Sequence, residues 1–203
     1  KTLRGTIPAG ESRGLHLMAA YLPETGVVLM QLEVDRKENE IKVAPNLLDM
    51  IDVTGKVVTA DALNTQRSFG QQIVEAGGDY LFIVKDNQAN TRRSIEQLFT
   101  DPPMRPGFHA IPTDFQTTRD TVKSHGRLET RTVTTSSMLN QYLDWPYLGQ
   151  VIQIQRRVLH LKTAVISEET VYGITSLVAG KATPQDLLHI NRVYWGIENG
   201  LHY

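Results

Sequence analysis

KVVTADALNTQRSFGQQIVEAGGDYLFIVKDNQ, residues 56–88, decides the fold class. Its first five residues are rich in β-branched side chains and read as a short strand ending on Asp61. After Gln66 a helical period takes over, with Phe69, Ile73 and Val74 on one side and Gly77-Gly78 as the C-terminal stop. The apolar run Tyr80–Val84 then reads as a second strand. Strand, helix, strand in that order makes a parallel pair, so the chain belongs to the α/β class. Asp61 falls at the C-terminal end of a parallel strand, where such sheets place functional groups; the same position also suits a turn or helix-capping residue.

Upstream, LHLMAAYL and VVLMQLEV flank PETG and read as a β-hairpin over residues 15–34, turning at Pro23 to Gly26. IKVAPNLLDMID has helical character around Leu47, Leu48 and Ile51 and stops at Gly55. Downstream of Lys85-Asp86-Asn87 a helix runs from Thr91 to Phe99 and is closed by Asp101-Pro102-Pro103. From residue 106 to 179 the texture is β-rich, carried by TVKSHGRLETRTVTT, GQVIQIQRRVL and TAVISEETVYGITSL. A final helix starts with Thr183 as N-cap, Pro184 in the first position and Asp186 in the first turn. On it Leu187, Ile190, Tyr194, Ile197 and Leu201 make a packing stripe, and Asn191, Trp195, Glu198 and His202 make a second one beside it. The organisation is therefore 1–105, a first part of the core; 106–179, a β-rich insertion; and 180–203, a returning core helix.

The 203 residues, 40% hydrophobic and 21% charged, suffice for one buried core and exclude disorder. With no Cys, disulfides and thiolate metal sites are excluded, a reducing cytoplasm fits, and any metal must be held by oxygen or imidazole. No run approaches a membrane span and the first residues lack a secretory signal's apolar stretch. A formal charge of −1 gives no global pull on nucleic acid, so DNA binding must rest on local clusters.

Several residues carry candidate chemistry. A second carboxylate, Glu198, sits on a helix able to pack across the sheet toward Asp61; two such groups repel, and a hard divalent cation between them relieves that repulsion. In SHGRLETR, His125, Arg127, Glu129 and Arg131 alternate along a strand, either as a strip for phosphates or as a cross-strand ion-pair ladder. Lys85, Asn87 and Gln88 follow a strand end near Asp61, suited to a phosphate or simply to a polar turn. Trp195 is either a base-stacking surface or packing. His109, His160 and His189 show no ligand spacing.

TADALNTQ (59–66), GGDYLFIVKDNQ (77–88), SHGRLETR (124–131) and YWGIENGLH (194–202), in that order and preceded by KTLRG, resemble the insertion-sequence DDE transposases of the H-repeat-associated group. The resemblance runs from end to end of the chain. It implies an RNase H-like mixed sheet of five strands, three antiparallel and two parallel, flanked by helices with the β-rich insertion before the last one. It further implies three carboxylates holding two Mg2+ or Mn2+ ions. By position Asp61 is the second and Glu198 the third, and the first falls two places before Lys1. The implied activity is cleavage of DNA at transposon ends by water, followed by in-line attack of the freed 3′-hydroxyl on target DNA. Transposon ends and target DNA are the implied partners, with a homodimer as the active assembly and Lys85, Asn87, Gln88, His125, Arg127, Arg131, Arg192 and Trp195 as the DNA contacts.

One motif departs from the family pattern. Where related enzymes carry a Tyr, an Arg three places on and a Glu four places further, this chain has Asn191, Tyr194 and Glu198, leaving Arg192 as the substitute for the Arg. Two other readings follow: an inactive relative that binds DNA or a partner without cutting, and a metal-dependent nuclease without strand transfer.

Overall fold

The computed structural model describes residues 16–34, 40–100 and 113–200, with Glu40 and residues 194–200 described by backbone only. The elements run β1 (Leu17–Leu22), β2 (Val27–Glu33), α1 (Glu40–Leu48), β3 (Val57–Ala60), α2 (Arg67–Glu75), β4 (Asp79–Val84), α3 (Ala89–Thr100), β5 (Gln116–Ser124), β6 (Arg127–Ser136), β7 (Gln150–His160), β8 (Ile166–Thr175) and α4 (Pro184–Gly200). No helix among the described residues is long and apolar enough to cross a membrane.

The parallel pair read from residues 56–88 is present: β3 and β4 run parallel, with Val57 opposite Asp79 and Ala60 opposite Phe82. Between them α2 ends on Ala76, and Gly77 takes φ +83°, the left-handed conformation a side chain resists. Leu81, Phe82 and Val84 are buried, with Tyr80 fully enclosed as well. A strand buried on both faces needs a neighbour on each edge. β4 takes its second neighbour from far along the chain, pairing antiparallel with β8 so that Leu81 meets Thr175 and Val84 meets Tyr172.

The chain is thus the expected mixed α/β structure, with one difference in strand count. The main sheet has six strands in the order β3-β4-β8-β7-β6-β5, only β3 and β4 being parallel. The β1–β2 hairpin forms its own two-stranded sheet instead of supplying antiparallel strands to the main one. Residues of the β-rich segment form β5 to β8, which continue the same sheet because the outer edge of β4 is apolar and unpaired until β8 fills it.

Helices cover both faces. On one, Phe69 and Ile73 of α2 and Ile95 and Leu98 of α3 pack on Tyr80, Phe82, Val151, Tyr172 and Ile174. The Phe82 ring stacks 4.8 Å from Tyr80 and 5.9 Å from Phe69. Burial raises the Tyr80 phenol, whose hydroxyl donates to the Pro146 carbonyl at 2.8 Å. On the other face Leu187 and Leu188 of α4 pack on Leu81, Val133, Ile152 and Ile154.

The start of α4 is as expected: the Thr183 hydroxyl accepts from Asp186 N at 3.3 Å while the Asp186 carboxylate accepts from Thr183 N at 2.9 Å, a reciprocal cap. Its buried stripe is shifted from the expected one. Leu188 and Asn191 are enclosed together with Leu187, whereas Ile190 is half-buried. The expected continuation through Tyr194, Ile197 and Leu201, and the His202 position, lie outside the described side chains.

Candidate active site

Asp61 closes β3 with extended backbone (φ −68°, ψ 168°) and caps a short helical turn, Ala62–Asn64. One oxygen, Oδ1, accepts from Asn64 N at 3.2 Å and from Asn64 Nδ2 at 2.9 Å. The capping role and the site role are therefore compatible: capping occupies Oδ1, and Oδ2 makes no hydrogen bond among the described residues. The residue is exposed.

The loop after Asp61 is held from below. Thr65, fully buried, donates its hydroxyl to the Ile83 carbonyl on β4 at 2.9 Å. From the turn that follows β4, Asn87 Nδ2 donates to the Ala62 carbonyl at 2.5 Å and Gln88 Nε2 to the Thr65 carbonyl at 3.1 Å. The structure places these two expected DNA contacts on the Asp61 loop, with one N–H of each side-chain amide given to a backbone carbonyl. Lys85, at the end of β4 beside them, is exposed and carries no ion pair among the described residues.

A cavity of about 210 Å³ ends at Asp61. Its walls are Met18, Ala19 and Ala20 of β1 and Val58, Thr59 and Ala60 of β3, with Ala44, Leu47 and Leu48 of α1 as its floor. Consecutive residues of a strand point to opposite faces, so three in a row line a space only when the strand offers its edge. β1 is paired only to β2 and β3 only to β4 among the described residues, and both free edges border this cleft. Asn64 also lines it; the residue is 6% exposed and its Oδ1 has no hydrogen-bond partner among the described residues. A buried acceptor left open costs about 1–3 kcal/mol until a donor reaches it. Sequence reading missed Asn64; its place three residues after a strand-ending Asp, where a capped N–H is expected, was the available signal.

The arginine strip resolves differently. His125 is not on a strand: it sits in the β5–β6 turn at φ 49°, next to Gly126 at φ 71°, because nine- and ten-residue strands pairing from Ser124 opposite Arg127 leave only these two residues to reverse the chain. Arg127, Glu129 and Arg131 do alternate along β6. Glu129 holds Arg131 at 2.5 Å and Arg156 of β7 at 3.0 Å, and Arg192 of α4 is joined to Asp120 of β5. Burial pushes the Glu129 carboxyl up, but the Arg156 hydrogen bond and the charges of Arg131, Arg156 and Arg192 outweigh it and hold the group below its usual value. Burial likewise lowers Arg131. Arg131 and Arg192 are thus ion-paired within the fold, whereas Arg127, at the strand's outer end, is exposed.

Glu198 and Trp195 lie on α4, and their side chains are outside the described residues. Among the described residues no group of three His, Asp or Glu side chains is placed to hold a metal ion. The donors present at the cleft end are nonetheless oxygens alone, the free Oδ2 of Asp61 foremost, and such a set fits a hard divalent cation once further carboxylates join it.

The structure thus shows an exposed carboxylate at the end of a parallel strand, capping the turn after it and braced by the turn that follows the next strand. In comparison with known proteins, residues 4–203 match the model of the transposase DDE domain, and the chain belongs to that family. Within it, the chain falls with the H-repeat-associated insertion-sequence transposases. It is 30% identical, over its whole length, to the H repeat-associated putative transposase YhhI of Escherichia coli K12 and equally to the putative protein YbfL, covering 53% of each. A putative transposase YncI of Escherichia coli O157:H7 is 28% identical over all of this chain and 51% of that one. The chain spans about half the length of the curated relatives it matches. A solved piggyBac transposase synaptic complex with hairpin DNA aligns with 95% of this chain and 35% of its own at 10% identity and a TM-score of 0.44, too distant to bear on the site.

Proposed function

We propose that this chain is the catalytic domain of a DNA transposase that cleaves phosphodiesters at transposon ends and transfers the freed 3′ ends to target DNA. The single observation that carries this reading is the cleft that ends at Asp61, bordered by two free strand edges. A strand from beyond the described residues, seated there, pairs with β1 and β3 and donates an N–H to the open Asn64 Oδ1. Its last residue then lies beside Asp61. A carboxylate at that position, Asp61 and Glu198 together form the three-carboxylate site that the family resemblance implies.

Those three residues would hold Mg2+ or Mn2+, which when bound polarises a scissile phosphate and lowers the pKa of a water or hydroxyl nucleophile. The chain's own contribution is placement. Asp61 offers Oδ2 while Asn64 fixes its other oxygen, and Thr65, Asn87 and Gln88 keep the loop from shifting; the last two are positioning residues. Lys85, exposed at the same sheet end, is assigned to a DNA phosphate. Arg127 and Trp195 are assigned to DNA as well, and the active assembly to a homodimer that brings two ends together.

Calorimetric titration of Mn2+ into the full-length protein, D61N and E198Q tests the reading. The expected result is binding that both substitutions abolish. Binding left intact in both variants, or absent from the parent, overturns the catalytic reading and leaves a domain that holds DNA without cutting it.

A further inference from the structure

The two faces of the long strands β5 to β8 differ in how their charges are used. On the α4 side, Asp120, Glu129 and Glu169 meet Arg192, Arg131 and Arg156, so these three cations have carboxylates, and Arg127 at the strand's outer end is the one left exposed there among the described arginines of β6. On the other side, strand registers align Thr121, Thr130, Arg157 and Glu168 in one row across the sheet. Arg119 and Lys123 stand on the same side of β5, two residues before and after Thr121. Arg119, Lys123 and Arg157 are exposed, and among the described residues only Arg157 of the three has an acidic partner, the exposed Glu168 at 3.0 Å. Beyond Tyr172 no described element covers this side: Gln155 and Thr170 in the next row are exposed too.

The remaining surface there is hydroxyl. Thr117 pairs with Thr134 and Thr121 with Thr130, each at 3.1 Å between hydroxyl oxygens. In each pair one hydroxyl donates to the other, which leaves one O–H per pair for an outside acceptor. Hydroxyl and guanidinium donors on a sheet face that no described element covers, with a surplus of positive charge, are the complement of phosphate oxygens. Four residues of strand put Arg119 and Lys123 ~13 Å apart, and two strand spacings put Arg157 ~10 Å from Thr121. Those separations are close to the ~12 Å major-groove width that separates phosphates of a duplex.

We infer that the β5–β8 face opposite α4 binds the sugar-phosphate backbone of double-stranded DNA through Arg119, Lys123 and Arg157, without reading sequence. The inference rests on the proposed function and adds where the DNA lies. It moves the contact surface away from Arg131 and Arg192, whose charge is already neutralised within the fold.

The test is fluorescence anisotropy of a short labelled DNA duplex with the full-length protein, over a series of KCl concentrations, for the parent, R119Q/K123Q/R157Q and a K56Q/K181Q control. Lys56 and Lys181 lie at the opposite end of the strands. Loss of three phosphate contacts is expected to weaken binding ~10–100-fold and to flatten the slope of log K against log salt by about 3. The control should match the parent, and circular dichroism melting should be the same for all three. A triple variant that binds like the parent overturns this surface while leaving the DNA-processing reading intact. A triple variant that keeps DNA binding but no longer self-associates assigns the face to a second copy and also overturns it. A parent that binds no duplex overturns both.

Discussion

The Asp61 loop and the Glu129 cluster are both polar groups at the margin of one sheet, and they are built on opposite plans. At Glu129 three arginines converge on carboxylates, and every formal charge is answered within the fold. At Asp61 the hydrogen bonds all run to backbone or to one oxygen of the carboxylate, and Oδ2 and Asn64 Oδ1 are left open toward a cleft. A polar group whose partners are all internal contributes stability; one held rigid with a free lone pair is prepared for something from outside. The two regions look alike in a sequence, and only the partner list separates them.

The sharpest way to break this contrast is to exchange the effects of substitution. D61N should abolish DNA cleavage by the full-length protein, by ~10³-fold or more if several kcal/mol of transition-state stabilisation go with it, and leave urea stability within ~0.5 kcal/mol of the parent. E129Q should do the reverse, costing roughly 1–3 kcal/mol in urea unfolding because Arg131 and Arg156 lose their counter-charge, with cleavage retained under folding conditions. If E129Q abolished cleavage in a stable protein, the division between a structural and a working region would fail.

A smaller effect sharpens the account of the loop. T65V removes the hydroxyl donated to the Ile83 carbonyl from a fully buried position, for an expected loss of ~1–2 kcal/mol in urea unfolding. Cleavage should fall along with it, since the segment carrying Asp61 loses its brace, and T65S should restore both.

The smallest effect is in acid. Glu129 and Asp114 both have carboxyl groups held below their usual values; for Asp114, burial raises it and the Ser136 and Ser137 hydrogen bonds prevail. A depressed folded value means the folded state binds the proton less readily than the unfolded chain. The stabilisation is therefore complete above the unfolded values of 4.5 and 3.8 and is lost as pH falls through the folded ones. Thermal melts should show a declining midpoint below about pH 4.5, with E129Q removing part of the decline. A decline of equal depth in E129Q would mean that Glu129 carries none of it.

Most of the architecture was legible because its signals are local. The β-branched run before Asp61, the period of α2, Gly77-Gly78 and the Thr183-Pro184 start of α4 each encode one element. The pairing of β4 with β8 was not legible, since nothing within either strand names a neighbour some ninety residues away; that the β-rich segment joins the main sheet as four strands is seen only in the structure. His125 was misplaced for the opposite reason, a strand pattern extended by one residue into a turn. Of the candidate site, the place of Asp61 at a strand end was legible. Asn87 and Gln88 were recognised as close to it, but their contacts with Ala62 and Thr65 depend on how two loops meet in space.

The seam between β4 and β8 also sets a timetable. Tyr80 N donates to the Ser176 hydroxyl oxygen, and the Tyr80 carbonyl accepts from the Thr175 hydroxyl, across sequence separations of 96 and 95 residues. On a ribosome adding ~5–20 residues per second, β4 waits roughly 5–20 s after its own synthesis before the strand that covers its edge exists. For that interval an apolar strand is open to any extended segment nearby. The nascent chain is most vulnerable to mispairing then, and a chaperone bound near residues 80–84 would protect the product more than one bound anywhere later.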